Sequence, residues 1–178
     1  MGSSIVLNQA LRREYDQLFT GCVIDSERQA WVRQMVQRMA AERRRYRLVA
    51  DEVGIPWFVV AVIHAMESGL RFDRHLHNGD PLNARTVRVP ANRPVGDPPF
   101  TWEQSAVDAL RYQGVTDWWD WTLPGVLFCL EGYNGWGYRL YHPEVLSPYL
   151  WSFSNHYDKG KYAADGRFDP ELRSQQCG

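Results

Sequence analysis

The chain has 178 residues and a formal net charge of −1, which is enough length for one domain with a sizeable hydrophobic core. The balanced charge excludes a general electrostatic attraction to nucleic acid, and no apolar run approaches the length of a transmembrane helix. Aromatic residues make up 13% of the chain, so a core can use some of them while others line a groove that stacks on sugar rings.

Two helices are predicted in the first fifty residues. Residues near 5–20 place apolar side chains along one side of a short amphipathic helix. Asp25 or Ser26 can cap a longer helix that runs to about Val49. The arginines of this longer helix alternate with apolar residues in a helical pattern, which indicates a solvated face rather than a polyanion site.

The most informative element is an apolar helix that ends in a glutamate. It is predicted from Pro56, which suits a first helical position, to Glu67, and Gly69 follows as a helix stop. Because residues 57–66 are almost all apolar, this helix should be buried on most sides. Apolar surroundings and the negative end of the helix dipole should both raise the pKa of Glu67, as a general acid requires. The alternative is a frayed helix end with Glu67 in water or paired with an arginine.

A small β element is predicted between residues 70 and 99. Asn78-Gly79 is a tight-turn signal, and Thr86–Val89 alternates in the manner of a strand. We therefore expect a hairpin or small sheet here, followed by the proline-rich loop of residues 90–99.

Helices return in the second half of the chain. One is predicted over Phe100–Arg111, where Thr101 and Gln104 have capping-box spacing. Another is predicted over Thr122–Glu131, with Pro124 near its first turn. Beyond residue 143 the chain is loop-rich and aromatic. The prediction is therefore a mostly helical α+β domain with one small β insertion.

Carboxylates offer the first candidate chemistry. A hairpin that folds back can bring Asp80, in the predicted turn, to the end of the Glu67 helix. Two such carboxylates suit glycoside hydrolysis, because one protonates the leaving oxygen while the other activates water or stabilises the positive sugar. Asp73 and Asp97 compete for the second role, and Asn-Gly-Asp-Pro is also ordinary turn chemistry. The Thr86 hydroxyl could position the water, or Thr86 could be an ordinary strand residue.

Histidines offer a second, metal-based chemistry. His75 and His77 are two residues apart and would share one face of a strand. With His64 or Asp80 they could form a zinc site, although no third ligand stands at a telling spacing. His64 lies three residues before Glu67, where a core or supporting role is the more common one.

Nucleophilic chemistry has little support in the sequence. No G-x-S-x-G motif occurs, and no cysteine stands in an evident activating context. Cys22, Cys129 and Cys177 are widely separated and odd in number, so they imply neither a metal motif nor a disulfide framework. A single Cys22–Cys177 bridge stays open at this point.

The end of the second apolar helix could also contact a ligand. Residues 131–135, Glu-Gly-Tyr-Asn-Gly, end this helix with glycines that let the backbone come close to another group. Tyr133 and Asn134 could present a hydroxyl and an amide there, or they could form a simple C-cap.

These motifs together resemble the lysozyme superfamily, and most closely a bacterial and phage group of lysozyme-like peptidoglycan hydrolases. That group carries a helix ending in Glu-Ser, a His-Leu-His-Asn-Gly-Asp-Pro-Leu hairpin and an Ala-Arg-Thr-Val strand. The matching segments here are Glu67-Ser68, His75–Leu82 and Ala84–Val87, and the likeness continues through Glu131–Gly135 and Ser152–Tyr157. It covers about residues 50–178.

The resemblance implies a lysozyme-like fold, with a helical lobe and a small β-hairpin lobe flanking a cleft. It implies a single catalytic domain over residues 1–178, in which residues 1–50 are N-terminal helices and residues 51–178 are the catalytic core. It makes Glu67 the general acid, with the Tyr-Asn pair beside it. The predicted substrate-binding residues are His77, Tyr133, Asn134, Trp136 and Tyr157.

The implied activity is cleavage of the β-1,4 bonds of peptidoglycan, without a metal or cofactor. Asp80 and Thr86 favour an inverting reaction with water, in which the Glu67 and Asp80 carboxyl groups would stand roughly 6.5–9.5 Å apart. A lytic transglycosylase needs only the glutamate, because the substrate's own hydroxyl attacks. Chitin or chitosan is the nearest rival substrate.

Two rivals come from other functional classes. One is a zinc-dependent cell-wall peptidase that uses His75, His77 and Asp80, and the other is a glycan-binding protein without activity. The expected partner is peptidoglycan or a related amino-sugar polymer, acted on by a monomer that neither binds nucleic acid nor inserts into a membrane. Residues 1–20 lack the apolar core of a signal peptide, so a protein that acts on the bacterial cell wall would need another export route, and a phage origin would supply one.

Overall fold

The computed structural model describes residues 5–164 and 166–178, over which the chain is mostly helical with one small antiparallel sheet. This confirms the coarse prediction of a mostly helical α+β protein. The helices are α1 Gln9–Thr20, α2 Gln29–Ala41, α3 Arg43–Val53, α4 Trp57–Ser68, α5 Trp102–Tyr112, α6 Leu123–Asn134, α7 Gly137–Tyr141 and α8 Pro148–Trp151, with a 3₁₀ turn at Val115–Asp117. The sheet pairs β1 Lys161–Ala164 with β2 Arg167–Asp169.

The described residues form two compact units. The central unit is Arg33–Trp119, in which α3 packs against both α4 and α5. The terminal unit combines the described part of Met1–Val32 with Asp120–Gly178, and in it α6 packs against α1 and α8.

Helix α4 forms much of the core of the central unit, as its apolar sequence predicted. Its buried residues are Val59, Val60, Ala61, Ile63 and His64. Pro56 was predicted to be the first helical residue, but it is the N-cap, and the helix begins one residue later at Trp57. Gly69 ends the helix in the left-handed conformation, with φ of +61°, which glycine adopts without steric cost.

Helix α5 begins at the predicted capping box. The Thr101 hydroxyl accepts the N–H of Gln104 at 3.1 Å, and the Gln104 side chain accepts the N–H of Thr101 at 2.8 Å. Two N–H groups that would lack helical partners are thereby satisfied. The helix then buries Trp102, Ala106 and Leu110 on the side that faces the core.

Three sequence predictions about elements were wrong. The single helix expected up to about Val49 is two helices, because α2 ends at Ala41 and α3 starts at Arg43. No strand forms between residues 70 and 99, all of which are described; this segment contains turns and one isolated bridge, Arg74 to Pro81. The sheet lies instead near the end of the chain, where a loop was expected.

The predicted strand at Thr86–Val89 is absent because its backbone groups are satisfied locally. The N–H groups of Val87 and Arg88 both donate to the Asp80 carboxylate. The Thr86 N–H donates to the Arg93 carbonyl at 2.7 Å, which closes a loop instead of pairing with a neighbouring strand. The alternating side chains are also a poor guide here, because Val87 and Val89 are both highly exposed.

A buried ion network fixes the end of α6 in the terminal unit. The Glu131 carboxylate accepts two hydrogen bonds from the Arg139 guanidinium, at 3.0 and 2.8 Å, and one from the Tyr15 hydroxyl at 2.5 Å. Arg139 also donates to Glu14 at 2.9 Å. Burial and the neighbouring Glu131 carboxylate raise the pKa of Tyr15, so its hydroxyl stays a donor.

In the described part of the chain, no single helix combines the length and the apolar character that crossing a bilayer requires. Only α3 and α4 taken together reach that length and composition, and they meet at a bend of 111°.

Candidate active site

Glu67 lies in the last turn of α4, one residue before its end, and is half-buried. Its position is the predicted one: an apolar helix carries the carboxylate at the negative end of the helix dipole. Ser68 follows and donates to the His64 carbonyl, and Gly69 then turns the chain away. The helix end therefore presents Glu67 at the edge of the core of the central unit.

An aromatic cluster supports this helix end from inside the core. His64, one turn before Glu67, lies 4.5 Å from the Trp102 ring and 4.6 Å from the Phe72 ring, measured between centroids. Its Nδ1 is 2.9 Å from the Tyr46 hydroxyl. The Arg45 guanidinium lies 3.9 Å above the Phe72 ring. These contacts fix the rotation of α4 about its axis.

His64 is a supporting core residue rather than a metal ligand or an acid. It is completely buried, and burial lowers its pKa to about 4, with the nearby charge of Arg45 acting in the same direction. The imidazole is therefore neutral at physiological pH. It can accept a hydrogen bond from the Tyr46 hydroxyl, or donate one to it, without placing a charge in the core.

The turn at Asn78-Gly79 reaches the end of α4. A Cβ added to Gly79 would lie 3.8 Å from the Glu67 carbonyl oxygen, so the turn lies close to the helix end, within the reach of one methyl group. The turn itself is closed by two backbone hydrogen bonds, from Gly79 to His75 at 2.9 Å and from His75 to Asp80 at 2.7 Å. The chain reversal predicted from Asn-Gly is present, although no strands flank it.

Asp80 follows this turn and is buried. One carboxylate oxygen accepts the N–H groups of Val87 at 2.8 Å and Arg88 at 3.0 Å, while the other lies 3.6 Å from the Arg88 guanidinium. Burial alone would raise the pKa of Asp80, but these donors and the Arg88 charge outweigh it and hold the pKa below its ordinary value. Asp80 is therefore an anion at neutral pH and cannot serve as the acid.

Thr86 is buried, and its hydroxyl is used within its own loop. The hydroxyl donates to the Pro90 carbonyl at 2.5 Å and accepts the Arg93 N–H at 2.9 Å. A hydroxyl has one proton to donate, so Thr86 has none left for an attacking water. Thr86 closes the loop, and the catalytic role predicted for it gains no support from these contacts.

The competing carboxylates stand in solvent. The Asp73 side chain is 73% exposed beside Arg71 and Arg74, and that of Asp97 is 98% exposed beside Arg85. Neither is held by backbone donors as Asp80 is. Of these three candidates for a second carboxylate, only Asp80 lies on the turn close to the end of α4.

His77 is buried and belongs to a hydrogen-bond network rather than to an open surface. Its Nε2 lies 2.7 Å from the Asp108 carboxylate, which also binds the Arg93 guanidinium through two hydrogen bonds. Burial lowers the pKa of His77 even though Asp108 opposes this shift. His77 therefore positions the 75–80 turn against α5, and a glycan could touch it only after the turn moved.

Sequence reasoning missed the serine at the centre of this network. The Ser105 hydroxyl lies 2.8 Å from His75 Nδ1 and 3.4 Å from His77 Nδ1, so Ser105, His77 and Asp108 have the order of a catalytic triad. Ser105 and Asp108 are three residues apart on α5, and this spacing, which places them on one helix face, was the available sequence signal.

This triad-like arrangement is structural. The His75 Nε2 faces the Ala84 carbonyl, which can only accept, so we assign a proton to Nε2 and leave Nδ1 to accept from Ser105. The serine proton thus points to His75 and not to the Asp108–His77 pair. Ser105 is also completely buried, which leaves no path for a substrate.

The residues proposed as zinc ligands do not form a ligand set. His75 uses both ring nitrogens, toward Ser105 and Ala84, and the Asp80 carboxylate is occupied by the 87–88 backbone. Throughout residues 5–164 and 166–178, no three His, Cys, Asp or Glu side chains gather in a way that could hold a metal ion.

The remaining predicted binding residues belong to the terminal unit. Tyr133 is half-buried and stacks on Tyr149 with 6.5 Å between ring centroids, while Asn134 is exposed at the end of α6. Trp136 folds back over α6 onto Phe128, at 4.7 Å. This return is possible because residue 132 is glycine: a Cβ there would lie 2.9 Å from the indole of Trp136.

Tyr157 lines an open cavity of about 280 Å³ in the same unit. Its hydroxyl donates to the Gly160 carbonyl at 3.2 Å and accepts the Ser174 N–H at 3.1 Å. Arg28 and Arg173 line the cavity with it, and Arg173 pairs with Asp158. These two hydrogen bonds of the hydroxyl hold the Tyr157 ring in place, and Tyr157 forms part of the cavity wall.

Comparison with protein-family models, with curated proteins and with solved structures found no match to this chain.

Proposed function

We propose that this protein is a lysozyme-type glycoside hydrolase that cleaves the β-1,4 bonds of peptidoglycan, with Glu67 as the general acid. The fold would then be lysozyme-like in its finer arrangement. The observation that carries the proposal is the position of Glu67: a half-buried glutamate in the last turn of an apolar helix, with the Asn78-Gly79 turn close to its backbone. In the proposed reaction Glu67 must be protonated when it meets the glycosidic oxygen.

Asp80 supplies the second carboxylate of the proposal. It stays ionised because Val87, Arg88 and the Arg88 guanidinium stabilise the anion. A glycosidase needs different protonation states for its two carboxyl groups, since one must carry a proton while the other must be negative. The depressed pKa makes Asp80 a weak base, so electrostatic stabilisation of the positively charged sugar suits it better than removal of a proton from water.

The side chains predicted to contact sugars are Tyr133, Asn134, Trp136 and Tyr157; all four belong to the terminal unit, and their part in the proposal stays a sequence prediction. Aromatic rings stack on the apolar faces of pyranose rings, and an exposed amide can bond to the acetamido group of an amino sugar. The buried Glu131–Arg139 pair would hold the end of α6, and with it Tyr133 and Asn134, in a fixed orientation. His77 would act only by holding the turn that carries Asp80.

A lytic transglycosylase is the second candidate. It is favoured by the contacts of Thr86 and Asp80, because the Thr86 hydroxyl has no proton to spare and one Asp80 oxygen already accepts two N–H groups. A transglycosylase needs no water-activating residue, since the substrate's own hydroxyl attacks. Glu67 would then act first as acid and afterwards as base.

One digestion separates these functions. Purified peptidoglycan is incubated with the protein, and the soluble products are analysed by mass spectrometry before and after borohydride reduction. Glycan fragments with reducible ends support the hydrolase, and 1,6-anhydro ends support the transglycosylase. New amino termini without new glycan ends would replace the proposal with a peptidase. Chitin and chitosan are digested in parallel, and faster release of ends from either polymer would change the assigned substrate.

A further inference from the structure

The two cysteines near the extremes of the described chain lie against one turn of the terminal unit. This turn is residues 152–155, between α8 and the sheet. Cys22 and Cys177 are both half-buried free thiols, so a small reagent in solution can reach them. The residues next to each cysteine form hydrogen bonds with this turn, which brings both segments to the same place in the unit.

Asn155 holds the segment around Cys22. Its side-chain oxygen accepts the N–H of Val23 at 2.8 Å, and its side-chain nitrogen donates to the Gly21 carbonyl at 3.1 Å. The Asn155 N–H donates in turn to the Val23 carbonyl at 3.0 Å. Cys22 is thus bracketed on both sides by bonds to a single residue, which leaves its backbone little freedom.

Ser152 holds the segment around Cys177. The N–H of Gly178 donates to the Ser152 carbonyl at 3.1 Å, so the residue after Cys177 is tied to the same turn three residues before Asn155. Burial first, and then the neighbouring Cys22 thiol, raise the pKa of Cys177 to about 11. Cys129, on α6, has its pKa raised by burial alone.

We propose that Cys22 and Cys177 are a disulfide-forming pair that closes the terminal unit when the protein meets a low-molecular-weight disulfide such as oxidised glutathione. One cysteine thiolate attacks the oxidant's S–S bond, forming a mixed disulfide and releasing one thiol. The second cysteine thiolate attacks the protein-bound sulfur and releases the other thiol. Two protein thiols lose two electrons and two protons in total, and the oxidant's disulfide is reduced to two thiols.

The bond would matter because it joins residues far apart in the chain. Linking residues 22 and 177 restricts the unfolded chain over most of its length and adds no new element to the fold. The reduced protein therefore keeps its hydrogen bonds to the 152–155 turn, and the oxidised protein becomes harder to unfold. This proposal does not depend on the proposed glycosidase activity.

The test begins with reduced protein, incubated with oxidised glutathione in mildly alkaline buffer, after which free thiols are alkylated. We expect a loss of about 2 Da, a single alkylated cysteine at 129, and a linked Cys22–Cys177 peptide after proteolysis. The melting temperature should rise by about 5–10 °C and fall again when excess thiol is added.

The cysteine variants provide the controls. Cys129→Ser should keep the linked peptide and the rise in melting temperature, whereas Cys22→Ser and Cys177→Ser should lose both. If a variant does not fold, peptide mapping of the oxidised wild-type protein decides alone. The proposal is overturned if all three thiols are alkylated after oxidation, or if the link includes Cys129. It is also overturned if glutathione adducts or disulfide-linked dimers form in place of the internal bond.

Discussion

Gly79 stands against the helix end that carries Glu67, since a Cβ added at position 79 would lie 3.8 Å from the Glu67 carbonyl oxygen. Gly79 also has φ of +76°, in the left-handed region. A short apolar helix and a tight turn thus meet at the residue on which the proposed chemistry depends. The turn lies close to the helix end, while His64 and its aromatic neighbours hold it from inside the core.

Replacement of Gly79 tests the importance of this turn. A distance of 3.8 Å is an ordinary van der Waals contact, so Gly79→Ala should destabilise through its backbone conformation, by about 1 kcal/mol. Gly79→Asn is the matched variant, because asparagine tolerates the left-handed region, and it should cost less. Urea unfolding measures both. Equal stability of the two variants and the wild type would show that the backbone strain argument is wrong.

Asp80→Asn should weaken both stability and activity. The amide keeps the shape of the carboxylate but removes the negative charge that pairs with Arg88 and accepts two N–H groups. The activity loss should be smaller than that of Glu67→Gln. Asp73→Asn is the control, because Asp73 is exposed, and it should change little. If the two asparagine variants have equal and mild effects, Asp80 is only a turn residue.

Stability at acidic pH should depend on His64. Its folded pKa of about 4 lies below the ordinary 6.5, so between these values the unfolded chain binds a proton that the folded protein does not. The unfolding free energy therefore falls as the pH drops from 6.5 to 4, by about 3 kcal/mol from this residue. His64→Phe should remove this part of the dependence, measured by urea unfolding at pH 7 and near pH 4.5. An unchanged pH dependence in the variant would contradict the buried neutral imidazole.

Local sequence signals predicted the elements whose ends are set by neighbouring residues. The apolar run and Gly69 gave α4, and Thr101 with Gln104 gave the start of α5, because caps act within four residues. The break between α2 and α3 was not predictable in this way, since residues 40–44 contain neither proline nor glycine.

The errors arose where a short-range side-chain contact outweighed a periodic pattern, or where the elements were too short to show one. Alternation at Thr86–Val89 predicted a strand, but the Asp80 carboxylate takes up the Val87 and Arg88 N–H groups, and no sequence rule gives that pairing. The true sheet was missed because its strands are short. Its available signal was Gly166, a turn residue between runs that contain Tyr162 and Phe168.

The candidate site shows the same division. The position of Glu67 at a helix end follows from sequence, because it needs only the helix and its stop. The role of Thr86 does not, because it depends on the Pro90 carbonyl and the Arg93 N–H that the loop brings to the hydroxyl. The Ser105–His77–Asp108 network could be read only in part: the spacing of Ser105 and Asp108 places them on one face of α5, but His77 joins them from a turn that is distant in sequence.

The most direct test of the account measures the rate at which Glu67→Gln releases new glycan ends from peptidoglycan. The amide has the shape of the acid but cannot supply a proton, so the rate should fall by about 10²–10⁴-fold while the fold stays intact. Glu52→Gln is the matched control, because Glu52 is an exposed glutamate of the same unit, and it should retain the wild-type rate. A Glu67→Gln protein that keeps more than about a tenth of the wild-type rate would contradict the assignment of Glu67 as the general acid.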